Sequence, residues 1–314
     1  TTGGSLNWQF TASDDFFDYL KTGETVEIEY VVEVSDGKGG TATQTITVTV
    51  NGANDVLFTD NGETVDLSNA GGLTAADAQD GNYLDAMDGD DIVTLPNAGD
   101  VLAGEYGPGK VFNAGNGSDV VNGGDMDDTI NGGGGSDQIF GNGGNDDLRG
   151  GNNADELHGG TGNDMLSGGS GADRLYGDQD NDTLTGGNGD DLLDGGTGTD
   201  TAVYTQTVMP GMVAFVADAD PATGGDQTGW TVATGGTEGS DGLIEIEIIQ
   251  HAGGNILLVG NGGCDSLQAA VNAATAGDTI MIGALRLQLI GGREFGNCIV
   301  GPNNGETRLF TNFV

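Results

Sequence analysis

The chain of 314 residues carries 62 glycines against five prolines, without the every-third-residue glycine spacing that a collagen triple helix demands, so that structure is excluded. Its 49 Asp and Glu residues against eight Lys and Arg leave a formal charge of −41. That balance opposes nucleic acid and anionic membrane surfaces and makes cations the natural partners.

Two cysteines, Cys264 and Cys298, are too few for a disulfide framework. No apolar run approaches the ~20 residues of a membrane-spanning helix. Self-repulsion on this scale destabilises a compact state until counter-charge arrives, so a bound metal ion would aid folding as well as binding.

The first predicted element is a hairpin. Val26, Ile28, Tyr30, Val32 and Val34 alternate along one face, Ile46, Val48 and Val50 alternate with Thr45, Thr47 and Thr49, and Ser35-Asp36-Gly37-Lys38-Gly39-Gly40 separates the two runs. Period-two alternation around a glycine-rich turn predicts antiparallel strands. Together with Leu6-Asn7-Trp8-Gln9-Phe10 and Asn51-Gly52-Ala53-Asn54-Asp55, this segment resembles the latter half of a VCBS or cadherin-like repeat of bacterial adhesins. The resemblance implies a partial immunoglobulin-like β-sandwich over residues 1–55, with its first strands preceding Thr1 because so few residues cannot complete one. Asn54 and Asp55 admit two readings, a calcium site at a domain junction and an ordinary polar linker.

Residues 56–113 are less regular. Asp91 and Asp100, followed two residues on by Val93 and Leu102, share a nine-residue step that is one residue out of phase with Asp119. They read as an irregular lead-in to a solenoid, whose terminal repeats are ordinarily atypical. Gly104 to Lys110 fits G-x-x-x-x-G-K, but Val111 follows where a hydroxyl is needed for Mg²⁺, and no strand-to-helix context surrounds it.

From Asp119 an aspartate recurs every nine residues at Asp128, Asp137, Asp146, Asp155, Asp164, Asp173, Asp182, Asp191 and Asp200. Two positions after each stands an apolar residue: Val121, Ile130, Ile139, Leu148, Leu157, Leu166, Leu175, Leu184, Leu193 and Ala202. Glycine-rich hexads precede the aspartates, as in Gly132-Gly133-Gly134-Gly135-Ser136-Asp137 and Gly159-Gly160-Thr161-Gly162-Asn163-Asp164. The pattern G-G-x-G-x-D-x-U-x resembles the RTX (hemolysin-type) calcium-binding nonapeptide over residues 114–203.

Each nonad divides into a turn, where glycine supplies positive φ, and a three-residue strand with one inward side chain. Two nonads close one coil, and coils stacked at ~4.8 Å would make a rod roughly 24 Å long with two parallel sheets face to face. A core one side chain wide cannot by itself offset the ordering of so much backbone. Something must therefore bind the folded form, and stacked carboxylates and turn carbonyls are hard oxygen ligands suited to Ca²⁺.

The resemblance implies ions shared between turns two nonads apart, for example between Asp137 and Asp155 or between Asp146 and Asp164. The competing reading makes these aspartates mere turn caps. Met126 before Asp128, Asn153 before Asp155, and Asp178 and Asp180 before Asp182 depart from the pattern. Methionine tolerates left-handed backbone worst of these, so the turn at Asp128 is expected to be irregular. Asp178, Asp180 and Asp182 also mimic an EF-hand start, but Thr183 and Gly189 stand where glycine and glutamate are required.

Beyond Asp200, apolar alternation in residues 201–204, 212–216 and 243–249 predicts strands that seal the end of the roll. Asp265-Ser266-Leu267-Gln268 opens a short helix with Leu267, Val271 and Ala274 on one face and Gly277 as its stop, and Thr279 to Ile282 reads as strand. This resembles the opening of a right-handed parallel β-helix, cut short or shifted in frame.

The expected fold class is all-β: a parallel β-roll flanked by a partial immunoglobulin-like sandwich and a β-rich C-terminal cap. The expected divisions are 1–55, 56–113, 114–203, 204–260 and 261–314. Only His158 and His251 occur, without an H-E-x-x-H or G-x-S-x-G motif, so no catalysis is expected. Two functions fit: a calcium-binding structural or adhesive module of a large secreted surface protein that meets cell-surface or matrix components, or the secretion and folding module of a toxin or hydrolase with its catalytic domain elsewhere. The RTX resemblance implies type I secretion and an extracellular location in either case.

Overall fold

Alternating one inward apolar residue with two outward polar ones, and separating such triplets by glycine turns, winds this chain into a flat two-sheeted coil. In the computed structural model the described residues are 25–35, 38, 40–51, 61–68, 84–100, 102–106, 109–216, 219, 227–260, 267–283, 298–303 and 306–311. Trp8, Asn54, Asp55, Cys264 and the capping residues Asp265 and Ser266 lie outside them.

The N-terminal strands β1 (Thr25–Ser35) and β2 (Thr41–Asn51) pair antiparallel with Ile28 opposite Val48 and Tyr30 opposite Ile46, the hairpin that the alternation predicts. No further strand pairs with them among the described residues, and the expected sandwich is not seen there.

The roll begins earlier than the nonad series. Strands β3 (Thr64–Asp66) and β4 (Ile92–Thr94) pair in parallel, and β4 in turn pairs with β6 (Val120–Gly124). A short helix, α1 (Ala103–Tyr106), and strand β5 (Phe112–Asn116) intervene. The succeeding strands are β7 (Thr129–Gly134), β8 (Gln138–Gly143), β9 (Asp147–Asn152), β10 (Glu156–Thr161), β11 (Met165–Ser170), β12 (Arg174–Gln179), β13 (Thr183–Asn188), β14 (Leu192–Asp194) and β15 (Thr201–Val203).

Even-numbered strands from β4 to β14 form one parallel sheet and odd-numbered strands from β5 to β15 the other. Each residue pairs with the one two nonads on, as Leu157 with Leu175 and Leu166 with Leu184. Residues 112–202 thus make about five coils of a parallel β-solenoid. Val121, Ile139, Leu157, Leu175 and Leu193 from one sheet meet Ile130, Leu148, Leu166, Leu184 and Ala202 from the other, all buried. On the outer face, Phe140, His158 and Tyr176 stack coil on coil, with ring centroids 5.1 and 4.5 Å apart.

Two positions in each regular turn take left-handed backbone, such as Gly160 and Gly162, at φ 109° and 117°. Where glycine is missing from these positions the substitutes are Asn142, Asn153, Asp178 and Asp180, at φ 71–74°, the residue types that bear this conformation at least cost. The turn at residues 123–128, which holds Met126, has no positive φ at all and is irregular as expected.

The cap is built from β16 (Val213–Val216), β17 (Gly229–Ala233), β18 (Ser240–Ile244), β19 (Ile248–His251) and β20 (Gly254–Val259). The alternation over 243–249 is not one strand. It breaks at Glu245, whose φ of +48° turns a corner, so that β18 continues one sheet of the roll, with Leu243 beside Leu193, and β19 continues the other, with Ile249 beside Ala202.

Helix α2 (Leu267–Ala273) connects β20 to its parallel neighbour β21 (Thr279–Ile282). It buries Ala270, and Ala274 packs alongside as the spacing predicts, while Val271, read onto the same face, is exposed. The antiparallel strands β22 (Cys298–Asn303) and β23 (Glu306–Thr311) follow.

Because the core is one side chain thick, its residues have no second layer to close over a void. Leu157→Ala is expected to lower stability by about 2–5 kcal/mol, read as a shift in the urea midpoint of the full chain, whereas Met165→Ala, at a position 58% exposed, should leave the midpoint nearly unchanged.

Candidate metal centre

The nonad aspartates stand where each turn delivers the chain into a strand, and all ten are buried, none more than 4% exposed. At one corner of the roll the Asp119 amide donates to Asp137 Oδ1 at 2.9 Å, and Asp137 to Asp155, Asp155 to Asp173 and Asp173 to Asp191 repeat the bond at 2.9 Å. At the opposite corner the Asp128 amide donates to Asp146 Oδ1 at 2.7 Å, and Asp146 to Asp164, Asp164 to Asp182 and Asp182 to Asp200 follow at 2.8 Å. The ten residues are thereby gathered into two rows. Each of these bonds ties one coil to the next and none caps the aspartate's own turn; Asp128, which accepts none of them, instead lies beside the Gly124 amide of its own turn.

The second carboxylate oxygen is left over. Oδ2 of every one of the ten is buried without a hydrogen-bond partner, and a buried anionic oxygen in that state is costly. The glycine that opens every hexad except that of Asp119, where Ala114 stands, leaves room for it. A Cβ on Gly132 would press against Asp137 Oδ2 and sit 2.7 Å from Gly150 O, and a Cβ on Gly141 would press against Asp146 Oδ2 and sit 2.6 Å from Gly159 O. A side-chain oxygen from one coil and a main-chain oxygen from the next therefore converge on the same small space.

Desolvation, opposed by the hydrogen bond from the neighbouring amide and reinforced by like charges nearby, pushes the Asp146, Asp155 and Asp182 carboxyls up to about 7, and Asp119, Asp173 and Asp200 to about 6. Asp137, Asp164 and Asp191 are raised from the same principal cause. Asp128 rises to about 7. Neither of its oxygens has a partner in hydrogen-bond geometry, although the Gly124 amide is near enough to lessen the rise.

Among the described residues no three His, Cys, Asp or Glu side chains meet at one point. An ion held here would draw its charge from two carboxylates at most and its remaining ligands from carbonyls. Oxygen donors alone, unpartnered and charged, fit a hard divalent cation of high coordination number such as Ca²⁺ better than a nitrogen- or sulfur-seeking metal.

Three acidic residues outside the nonad phase belong to the same rows: Asp91, read from the sequence as part of the lead-in, and two that were not singled out, Asp241 and Glu247. The Asp91 amide donates to Asp119 Oδ1 at 2.8 Å and Asp91 Oδ1 accepts from the Glu63 amide at 2.7 Å. At the far end the Asp191 amide donates to Asp241 Oδ1 at 3.0 Å and the Asp200 amide to Glu247 Oε2 at 2.7 Å. The triplets Asp91-Ile92-Val93, Asp241-Gly242-Leu243 and Glu247-Ile248-Ile249 keep the acid-x-apolar signature, which was the available signal. Asp100 keeps it too, yet its Oδ2 accepts from the Asn97 amide of its own turn, and it stays out of the row.

A family model for the RTX calcium-binding nonapeptide repeat (4 copies) matches residues 113–148, 149–184 and 167–202. A search of curated proteins gives no match.

Raised carboxyl pKa values mean that the metal-free roll binds more protons than the unfolded chain between about pH 4 and about pH 7. Its stability should therefore rise as pH falls through that window, be progressively lost as pH climbs from about 4 to about 7, and level off above it. In chelator, circular dichroism is expected to show more β structure at about pH 5 than at about pH 8; the reverse order would mean that these carboxylates are not buried in the folded state.

Proposed function

Given that residues 113–202 are RTX repeats and that this family binds Ca²⁺, we propose that the chain is an ion-dependent structural module, which folds on meeting calcium outside the cell and stiffens a secreted surface or adhesive protein. The ten nonad aspartates are its ligands, in pairs two nonads apart. The observation that carries this reading is the pair of rows of buried, unpartnered Oδ2 atoms beside carbonyls of the adjoining coil.

Bound calcium would supply the counter-charge that these rows lack. The residues themselves do the rest. Except at Asp128, Oδ1 of each aspartate sets the register between coils; Oδ2 faces the ion space, and the position-one glycine, present before every one of the ten except Asp119, keeps that space clear. Where calcium is scarce, as in cytosol, the like-charged rows oppose closure and leave the segment extended for type I export. Millimolar external calcium saturates weak extracellular-type sites and shifts the balance toward the coil. No residue set in this scheme needs to break or form a covalent bond, so the module acts by folding, not by catalysis.

The N-terminal hairpin, with its VCBS or cadherin-like features, favours placement in an adhesive surface protein over attachment to a toxin or hydrolase. Cell-surface or matrix components are the partners this placement suggests.

Far-ultraviolet circular dichroism during calcium titration tests the reading. The full chain is expected to gain β structure with a midpoint of about 0.1–1 mM Ca²⁺, and equal concentrations of Mg²⁺, which prefers a smaller octahedral shell with retained water, should produce little change. Full β content in chelator at neutral pH would overturn it.

A further inference from the structure

After Val203 the chain leaves the roll and returns at Gly236. The returning segment Gly236-Thr237-Glu238-Gly239-Ser240-Asp241-Gly242-Leu243 rebuilds a nonad with glycine at its first and fourth positions, aspartate at the sixth and an apolar residue at the eighth. It also rebuilds the bonds. The Ser240 amide donates to Asp190 Oδ1 at 2.8 Å, the Gly242 amide to the Asp191 carbonyl at 2.8 Å, and Asp241 Oδ1 receives the Asp191 amide.

The next corner is compressed to Glu245-Ile246-Glu247. There the Glu245 carbonyl points at the place where a Cβ on Gly195 would stand, with Asp200 Cγ 2.8 Å from that place. In the preceding coil the Gly195 carbonyl takes the corresponding position beside Gly177, 2.7 Å from its Cβ point. Glu247 and Ile248 both donate their amides to the Asp200 carbonyl, at 3.1 and 3.0 Å. Asp191 and Asp200, 4% and 0% exposed, each retain an unpartnered Oδ2 at this seam.

We propose that two further divalent-cation sites lie at the junction of roll and cap, one using Asp191 with Asp241, the other using Asp200 with Glu247 and the Glu245 carbonyl, and that the cap docks only when they are filled. The proposal rests on the reading of the nonads as calcium ligands and adds Asp241, Glu245 and Glu247, which lie outside the matched repeats. Its consequence for folding follows from the sheet order. Strands β18 and β19 are the members of the cap that pair with the roll, and both are brought in by an acidic residue at their N-terminal side. Without counter-charge, Asp241 would have to approach Asp190 and Asp191, and Glu247 would have to approach Asp200, as like charges in a largely desolvated seam.

Trp230 reports on this event. It is 1% exposed and lies opposite Leu243 in the β17–β18 pair. The other tryptophan is Trp8, so Trp8→Phe isolates the signal. In that background Asp241→Asn and Glu247→Gln keep an oxygen to accept the main-chain amide while removing the charge. Each is expected to move the calcium midpoint of the Trp230 emission shift upward by about tenfold or more, while the far-ultraviolet midpoint of the roll stays in place and excess calcium restores the buried emission.

Trp230 already buried in chelator, an unmoved Trp230 midpoint in both variants, or exposed Trp230 that no calcium restores while the roll folds normally would each overturn the proposal. A parent chain in which neither signal responds to calcium would instead defeat the underlying reading of the nonads.

Discussion

The structure turns on aspartates that have two jobs for two oxygens. In all of the nonad aspartates but Asp128, one oxygen accepts a main-chain amide from the neighbouring coil and fixes how coils stack. The other is buried, charged and without a protein partner. Within the nonads, hydrophobic burial is limited to one inward aliphatic side chain per strand, so the sheets cannot outweigh a stack of repelling carboxylates by packing alone. The position-one glycines, the turn carbonyls and the acidic composition all make sense as the surroundings of a cation that resolves this conflict.

The coil-to-coil bonds, not the nine-residue period, define how far the roll extends. The step from Asp91 to Asp119 spans 28 residues and that from Asp191 to Asp241 spans 50, against 18 within the repeat. Extra chain at these steps forms helix α1 at one end, with Leu102 and Tyr106 in the core, and β16 and β17 at the other, which extend the sheet beyond β18, while the inward positions remain filled by Val93 and Leu243. A solenoid tolerates this because each coil contacts only its neighbours. An insertion adds a loop without disturbing pairing elsewhere.

This explains which parts were legible in the sequence. Ten aspartates in unbroken phase, with apolar residues two places on, specified the roll and its register, though not that the aspartates themselves would be buried. Asp91, Asp241 and Glu247 were obscured because inserted chain breaks the phase, although each keeps its acid-x-apolar triplet. That triplet is not sufficient either. Asp100 has it and buries Leu102, but spends its carboxylate on Asn97 within its own turn. The misread run at 243–249 has a similar origin: apolar alternation continues smoothly through the corner at Glu245, and nothing in the hydropathy pattern marks a glutamate that adopts left-handed backbone. At Val271 the local helical spacing suggested a buried face, but contact with Ile280 and its neighbours chose the alanine stripe instead.

A second row of side chains offers an internal comparison. Immediately outside the aspartates at one corner run Asp127, Asn145, Asn163, Asn181 and Thr199. In this row the Asn145 amide donates to Asp127 Oδ1, Asn163 to Asn145 Oδ1, Asn181 to Asn163 Oδ1 and Thr199 to Asn181 Oδ1, at 2.7–3.1 Å. An amide side chain thus performs the coil-to-coil bond at this exposed position without any charge. The inner row makes the same kind of bond in a buried setting, where charge is far more expensive, yet uses aspartate at every nonad. Had hydrogen bonding been the whole requirement, asparagine would have met it at lower cost. The anionic second oxygen is the one feature that aspartate adds, and a cation in the adjoining oxygen-lined space is what gives that feature value.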